Sequence, residues 1–257
     1  TKTDEGKFAA LVENNIDVVY SEYHNRVHES LLRWDKRAKN KSVWYNDSLY
    51  KSVVAKGCYP LHPFAVWFLS NTSQWMQQRS TIAFAEQMFE AVKNKEISSK
   101  WLEYIYAVDI IDSDLYAEML NSEEQGLVNS QYCMLYRGVI TKLGDKLSDD
   151  ENTVLRAILI IDLCKFSLMD KSDSINAIKM CSGLTEEKIL DALKGLENEH
   201  GVISLDPNTN RYDILAEASG RNDFQREFLI KRMNVKDYDG IAECDEELET
   251  DFQLNIP

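Results

Sequence analysis

Glycine and proline are both scarce, with ten and four in 257 residues. A sandwich or barrel of many short strands needs turn residues at close intervals, so this shortage speaks against turn-rich β architecture and for helices. No apolar run approaches the ~20 residues of a membrane helix, and no signal-peptide pattern opens the chain. The five cysteines, Cys58, Cys133, Cys164, Cys181 and Cys244, are odd in number and show no C-x-x-C spacing. Neither a disulfide framework nor a zinc site is therefore expected. Thiols in apolar helical surroundings behave as small core residues and fit a reducing cytoplasm. A phosphate-cradling Gly-x-x-x-x-Gly-Lys-Ser/Thr loop is also missing: Gly183-Leu-Thr-Glu-Glu-Lys188 lacks the second glycine.

What is present is ordinary for a globular chain, 44% hydrophobic and 28% charged, with a net charge of −14. The length is enough for one large domain or two modest ones. The charge is uneven. From Asn234 to Pro257 eight acids stand against Lys236 alone, so half the excess lies in the last 24 residues. Such a segment is read first as a solvated acidic tail, and second as a strap competing with nucleic acid for a basic surface.

Helical periodicity dominates the first part. Asp4 to Lys39 reads as one long amphipathic helix through Phe8, Leu11, Val18, Tyr23, Val27, Leu31 and Trp34. Lys36, Arg37, Lys39 and Lys41 at its end complement the helix dipole. His24 and His28 share one helix face; two imidazoles fall short of a zinc site, and a solvated face is expected. A helix over Asn46–Lys56 is expected to stop at Gly57 in a left-handed cap. Gln74–Lys93 reads as a helix, Ser98 as the cap of another through Trp101, Ile105 and Val108, and Asn129 or Ser130 as the start of one through Tyr132 and Val139.

The character changes near residue 145. Ser148-Asp149-Asp150-Glu151 is a capping box ahead of Val154, Leu155, Ile158 and Ile161. Asp173-Ser174 precedes a second helix and Thr185 a third. Val202–Leu205, the turn residues Asp206-Pro207-Asn208-Thr209-Asn210, and Arg211–Leu215 then read as a β-hairpin. Three helices followed by a hairpin is the order of a winged helix. The expected organisation is mainly α: a helical, lid-like bundle over 1–144, a winged-helix domain over 145–233 and an acidic tail over 234–257.

The most distinctive motif is Tyr59-Pro60-Leu61-His62-Pro63, with Arg79 sixteen residues beyond it in Gln77-Gln78-Arg79-Ser80. Two prolines three apart cannot both sit within one regular helix, so the segment reads as an elbow with Pro63 in the first turn of the next helix. His62 is read as holding that elbow by a backbone hydrogen bond. This pattern, with Ile82-Ala83-Phe84, Asp114-Leu115-Tyr116 and Val154–Leu159, resembles the region after the nucleotide-binding core in large bacterial P-loop ATPases of the AAA+/STAND type. Those proteins belong to phage-defence and restriction-like systems. The resemblance covers about residues 45–232, and Gln78 departs from it where the group has an acid. It implies that Arg79 senses nucleotide phosphates from a lid, its planar fork matching phosphate oxygens. The competing reading of Arg79 is an ion pair with Glu86 or with an acid of the N-terminal helix.

The chain begins at Thr1 inside a helical pattern and carries no P-loop. It is therefore expected to be the lid and downstream part of a larger ATPase, with that protein's core in cis and ATP and magnesium bound there. No cofactor, metal or catalytic residue is expected in the chain itself. The alternative is a stand-alone helical and winged-helix module that contacts a protein partner or its own copy without nucleotide. A helical hydrolase has no supporting motif. Lys188, Lys194 and Arg211 are the candidate winged-helix contacts. DNA is the lesser expectation, because Glu186, Glu187, Asp191, Glu197 and Glu199 make the third helix acidic and repel phosphate.

Overall fold

The computed structural model describes residues 25–71, 104–112 and 114–215, with three helical positions at 86, 88 and 90. These residues are mainly helical and end in a two-stranded antiparallel sheet. The Gln74–Lys93 helix, Trp101, the start of the first helix, Arg79 and the acidic tail fall largely or wholly outside them. No helix among the described residues is long and apolar enough to cross a membrane.

Helix α1 (Asn25–Trp34) places Val27, Leu31 and Trp34 on one buried face. It does not run on to Lys39. Asp35 adopts an extended conformation and its carboxylate accepts from the Arg37 amide, which starts a separate 3-10 turn over Lys36–Asn40. Asp35 competes for backbone donors as a capping residue does, and that ends the helix. Helices α2 (Ser42–Tyr45) and α3 (Asp47–Leu49) follow, and α3 continues as a π-helical stretch over Tyr50–Lys56. Gly57 is right-handed, with φ −73, and not the left-handed cap expected. Its glycine is needed for space: a Cβ there would sit 2.5 Å from the Val53 carbonyl oxygen.

Helix α4 (Pro63–Asn71) is buried nearly all round through Phe64, Ala65, Trp67, Phe68 and Leu69. Ile105 is not helical. It forms a parallel bridge with Leu61, and a 3-10 turn over Ala107–Asp112 follows. Helices α5 (Asp114–Glu124) and α6 (Tyr132–Leu143) form a hairpin closed by Glu123, whose carboxylate accepts from the Met134 amide at 3.0 Å and from the Ser130 hydroxyl. The cap of α6 is thus supplied by the previous helix, and not by Asn129 or Ser130 alone.

Helix α7 (Asp149–Cys164) opens with the Ser148/Glu151 capping box. Helix α8 (Lys171–Ser182) is capped by Asp170, three residues earlier than Asp173, and closes at Gly183 with φ +74. A side chain at Gly183 would be strained by that φ and would collide with the Tyr106 ring. Helix α9 (Glu186–Lys194) runs into a π-helical turn over Gly195–Glu199. Strands β1 (Ile203–Asp206) and β2 (Arg211–Ile214) pair Ile203 with Ile214 and Leu205 with Tyr212.

One hydrophobic cluster joins all of this, from Val27 and Trp67 through Ile110 and Met119 to Ile189 and Ile214. At its centre is α7, where every residue from Ala157 to Cys164 is buried. It packs against α4, α6, α8, α9, β2 and the 107–112 turn. Leu159 is fully buried. Leu159→Ala is expected to cost about 2–5 kcal/mol in denaturant unfolding, the range for a cavity that cannot collapse. A loss below about 1 kcal/mol would show that α7 is not the hub of the core.

Candidate functional site

The elbow is fixed from two sides. Tyr59–Pro60 is a cis peptide bond, Ile105 donates its amide to the Pro60 carbonyl at 2.9 Å, and His62 donates its amide to the Ile105 carbonyl at 2.9 Å. Pro63 takes the first position of α4, where a missing amide costs nothing. The imidazole of His62 is fully buried, and its Nδ1 accepts from the Phe64 amide at 3.1 Å. It therefore caps α4 in the manner of a serine or asparagine. Tyr106 stacks on the ring at 5.2 Å and Tyr104 meets it edge-on at 5.3 Å. Arg79, the proposed phosphate sensor, lies outside the described residues.

His28 is not on a solvated face. It is 6% exposed, its Nε2 is hydrogen-bonded to the Trp44 carbonyl, and it stacks on Tyr50 at 4.0 Å. It locks α1 to α2 and α3. Two of the basic residues after α1, Arg37 and Lys41, also make contacts back to the core elements. Arg37 forks onto buried Asp35 and donates to the Cys164 carbonyl at 2.7 Å, while the Lys41 ammonium lies 4.9 Å over the Trp67 ring.

The three candidate contacts of the hairpin region part company. Lys188 on α9 is paired with Asp150 on α7 at 3.0 Å. Lys194, at the last turn of α9, is exposed. Arg211 is half-buried on β2 and its Nε is shut off from solvent. Its charge acts on Asp162 of α7.

Asp162 is the residue the sequence reading passed over. The signal was there: a single acid inside the run Ile158-Leu-Ile-Ile-Asp-Leu-Cys164. It is 1% exposed, and its Oδ1 has no hydrogen-bond partner among the described residues. Burial pushes its carboxyl well above the usual range; Arg211 pulls the other way, and Asp213 adds to the rise. Tyr132 on α6 faces the same group, its hydroxyl also pushed up by burial and by the Asp162 charge. Burial likewise raises the Cys133, Cys164 and Cys181 thiols, which keeps them unreactive. Among the described residues no cluster of three or more His, Cys, Asp or Glu is placed to hold a metal.

Comparison with protein-family models, curated proteins and solved structures finds no match to this chain. The likeness to AAA+/STAND ATPases rests on the quoted residues alone.

The raised carboxyl sets a sign for pH. The folded chain retains a proton on Asp162 that the unfolded chain has already lost, so stability from this group is full at low pH and is lost as pH rises. Wild type is expected to lose stability relative to Asp162→Asn as pH climbs from about 4 towards about 8, followed by urea unfolding. A difference that stays constant over that interval would place Asp162 as an ordinary carboxylate.

Proposed function

We propose that the chain is a helical protein-contact module that carries no catalysis of its own, and that residues 149–214 form a winged helix within it. The observation that carries this reading is the place of Arg211, whose Nε is buried and whose charge acts on Asp162. A wing that reads DNA needs its cations at the phosphate surface, whereas the charge of half-buried Arg211 acts on Asp162 of α7. Helix α9 adds acids on its exposed side, and Lys188 is engaged by Asp150. Exposed apolar side chains occur within residues 149–214 at Met169 and Leu190, and a further group lies outside them. Leu49 and Val53, one turn apart on α3 and its extension, are 40% and 45% exposed, and Tyr45 just before them is 65% exposed. Exposed large apolar side chains grouped in this way favour contact with another protein surface. A second copy of the chain is the partner we assign to it.

A second reading is favoured by the elbow. A buried imidazole and two backbone hydrogen bonds fix the direction of α4, as a lid carrying a sensor residue would require. On this reading the chain is the lid and winged-helix part of a larger defence-type AAA+ ATPase, which binds ATP and magnesium in cis. Arg79→Ala in that larger protein would then slow nucleotide turnover.

Light scattering with size exclusion tests the contact face. Wild type is expected to self-associate at about 100 µM, and Leu49→Asp with Val53→Asp to remain monomeric with unchanged helicity, since exposed apolar anchors carry most of such an interface. A monomeric wild type would contradict the proposal. So would salt-sensitive DNA binding tighter than the nonspecific range of about 10⁻⁴ to 10⁻⁶ M.

A further inference from the structure

A cleft of about 400 Å³ opens between α1 and α8, lined by Arg26, Glu29, Ser30, Arg33, Asn176 and Lys179 over a floor at Met180. The spacing explains why these side chains meet. Arg26, Ser30 and Arg33 fall at i, i+4 and i+7 on α1, and Asn176, Lys179 and Met180 at i, i+3 and i+4 on α8, so each set shares a helix face. The volume lies in the range of sites that enclose a small molecule.

The charge at this place runs against the rest of the protein. In a chain of net −14, the described residues lining this cleft include three cations and a single acid, Glu29. Arg33 is held for this arrangement from below. One of its guanidinium nitrogens, Nη2, is paired with Asp173, whose carboxylate is 6% exposed and also accepts from the Met169 amide at 3.0 Å. The guanidinium lies 6.0 Å from the Trp34 ring centre, and half of the side chain remains exposed. Anchored through one nitrogen, the planar fork keeps further donors for a ligand, an arrangement suited to the tetrahedral oxygens of phosphate. Lys179, exposed on the facing helix, supplies a point charge from the other wall.

We propose that this cleft binds a small organic phosphate. Arg33 and Lys179 take the phosphoryl oxygens from opposite walls, with Arg26 adding positive charge at the α1 end. Ser30 and Asn176 hydrogen-bond the body of the ligand. Glu29 accepts from its hydroxyl groups and discourages ligands that carry a second anionic group. The site is independent of the protein-contact face, since it uses neither Tyr45, Leu49 and Val53 nor the hairpin.

The test is calorimetric titration of the full chain with glycerol 3-phosphate, with inorganic phosphate and succinate as parallel probes at constant ionic strength. Lys179→Gln, on an exposed position, is expected to weaken glycerol 3-phosphate binding about tenfold, the scale of one charge-assisted contact. Arg33→Lys, which leaves an ammonium for Asp173 but removes the fork, is expected to weaken it to a similar degree. Lys146→Gln, on the turn after α6, serves as the control and is expected to leave affinity unchanged. Inorganic phosphate is expected to compete and succinate not to. No heat with wild type up to about 10 mM, far above any useful affinity, would overturn the proposal. Equal losses in Lys179→Gln and Lys146→Gln would overturn it as general charge attraction, and equal binding of succinate would overturn the assignment to phosphate.

Discussion

The structure depends on the burial of half of one helix on all sides. An amphipathic helix needs a neighbour on one face only, but every residue of α7 from Ala157 to Cys164 is buried, so that half of the helix is covered on all sides. Burying each of its larger apolar side chains is worth about 1.5–3 kcal/mol, and no single neighbour can cover them. The helices before it and the hairpin after it are therefore drawn onto the same element. Its C-terminal end completes the join: the Ser167 amide donates to the Trp34 carbonyl at 2.9 Å, and Phe166 packs against both Trp34 and Phe64. The elbow at Tyr59–Pro63 gains its direction from the same core, because α4 packs on α1 and α7.

That arrangement carries one local conflict. The buried half of α7 leaves no solvated side for a charged residue, yet Asp162 sits on it. Arg211 compensates in part, its Nε buried and its charge acting on Asp162. An arginine placed against a buried carboxyl group is not at hand for a phosphate backbone. The choice between a DNA-reading and a protein-contacting role for the proposed winged helix is thus tied to a residue in the middle of the core.

Signals contained within a few residues were legible in the sequence. The Ser148/Glu151 capping box, Pro63 at a first helical position and the Asp206–Asn210 turn each specify structure through neighbours in the chain. Features that depend on distant partners were not. His28 reads as half of a surface pair until Trp44 and Tyr50 close over it. Ile105 has helical company in sequence, but its amide and carbonyl are taken by the elbow. Gly57 looks like a left-handed cap, whereas the widened helix before it needs only the missing Cβ. The cleft between α1 and α8 was partly visible, since Arg26, Ser30 and Arg33 fall on one face of α1. That their opposite wall is Lys179 could not be read from spacing along the chain.

Native-state hydrogen exchange of three amides tests the single core most directly. The Leu215 amide bonds to Val202 beside the hairpin, the His62 amide to Ile105 at the elbow, and the Ser167 amide to Trp34 at the join. If α7 unites these regions, all three will exchange through one opening, with the same free energy and the same dependence on denaturant. If the hairpin amide opens at a free energy well below the other two, the region from residue 149 onward is a separate unit, and α7 is not what holds the described fold together.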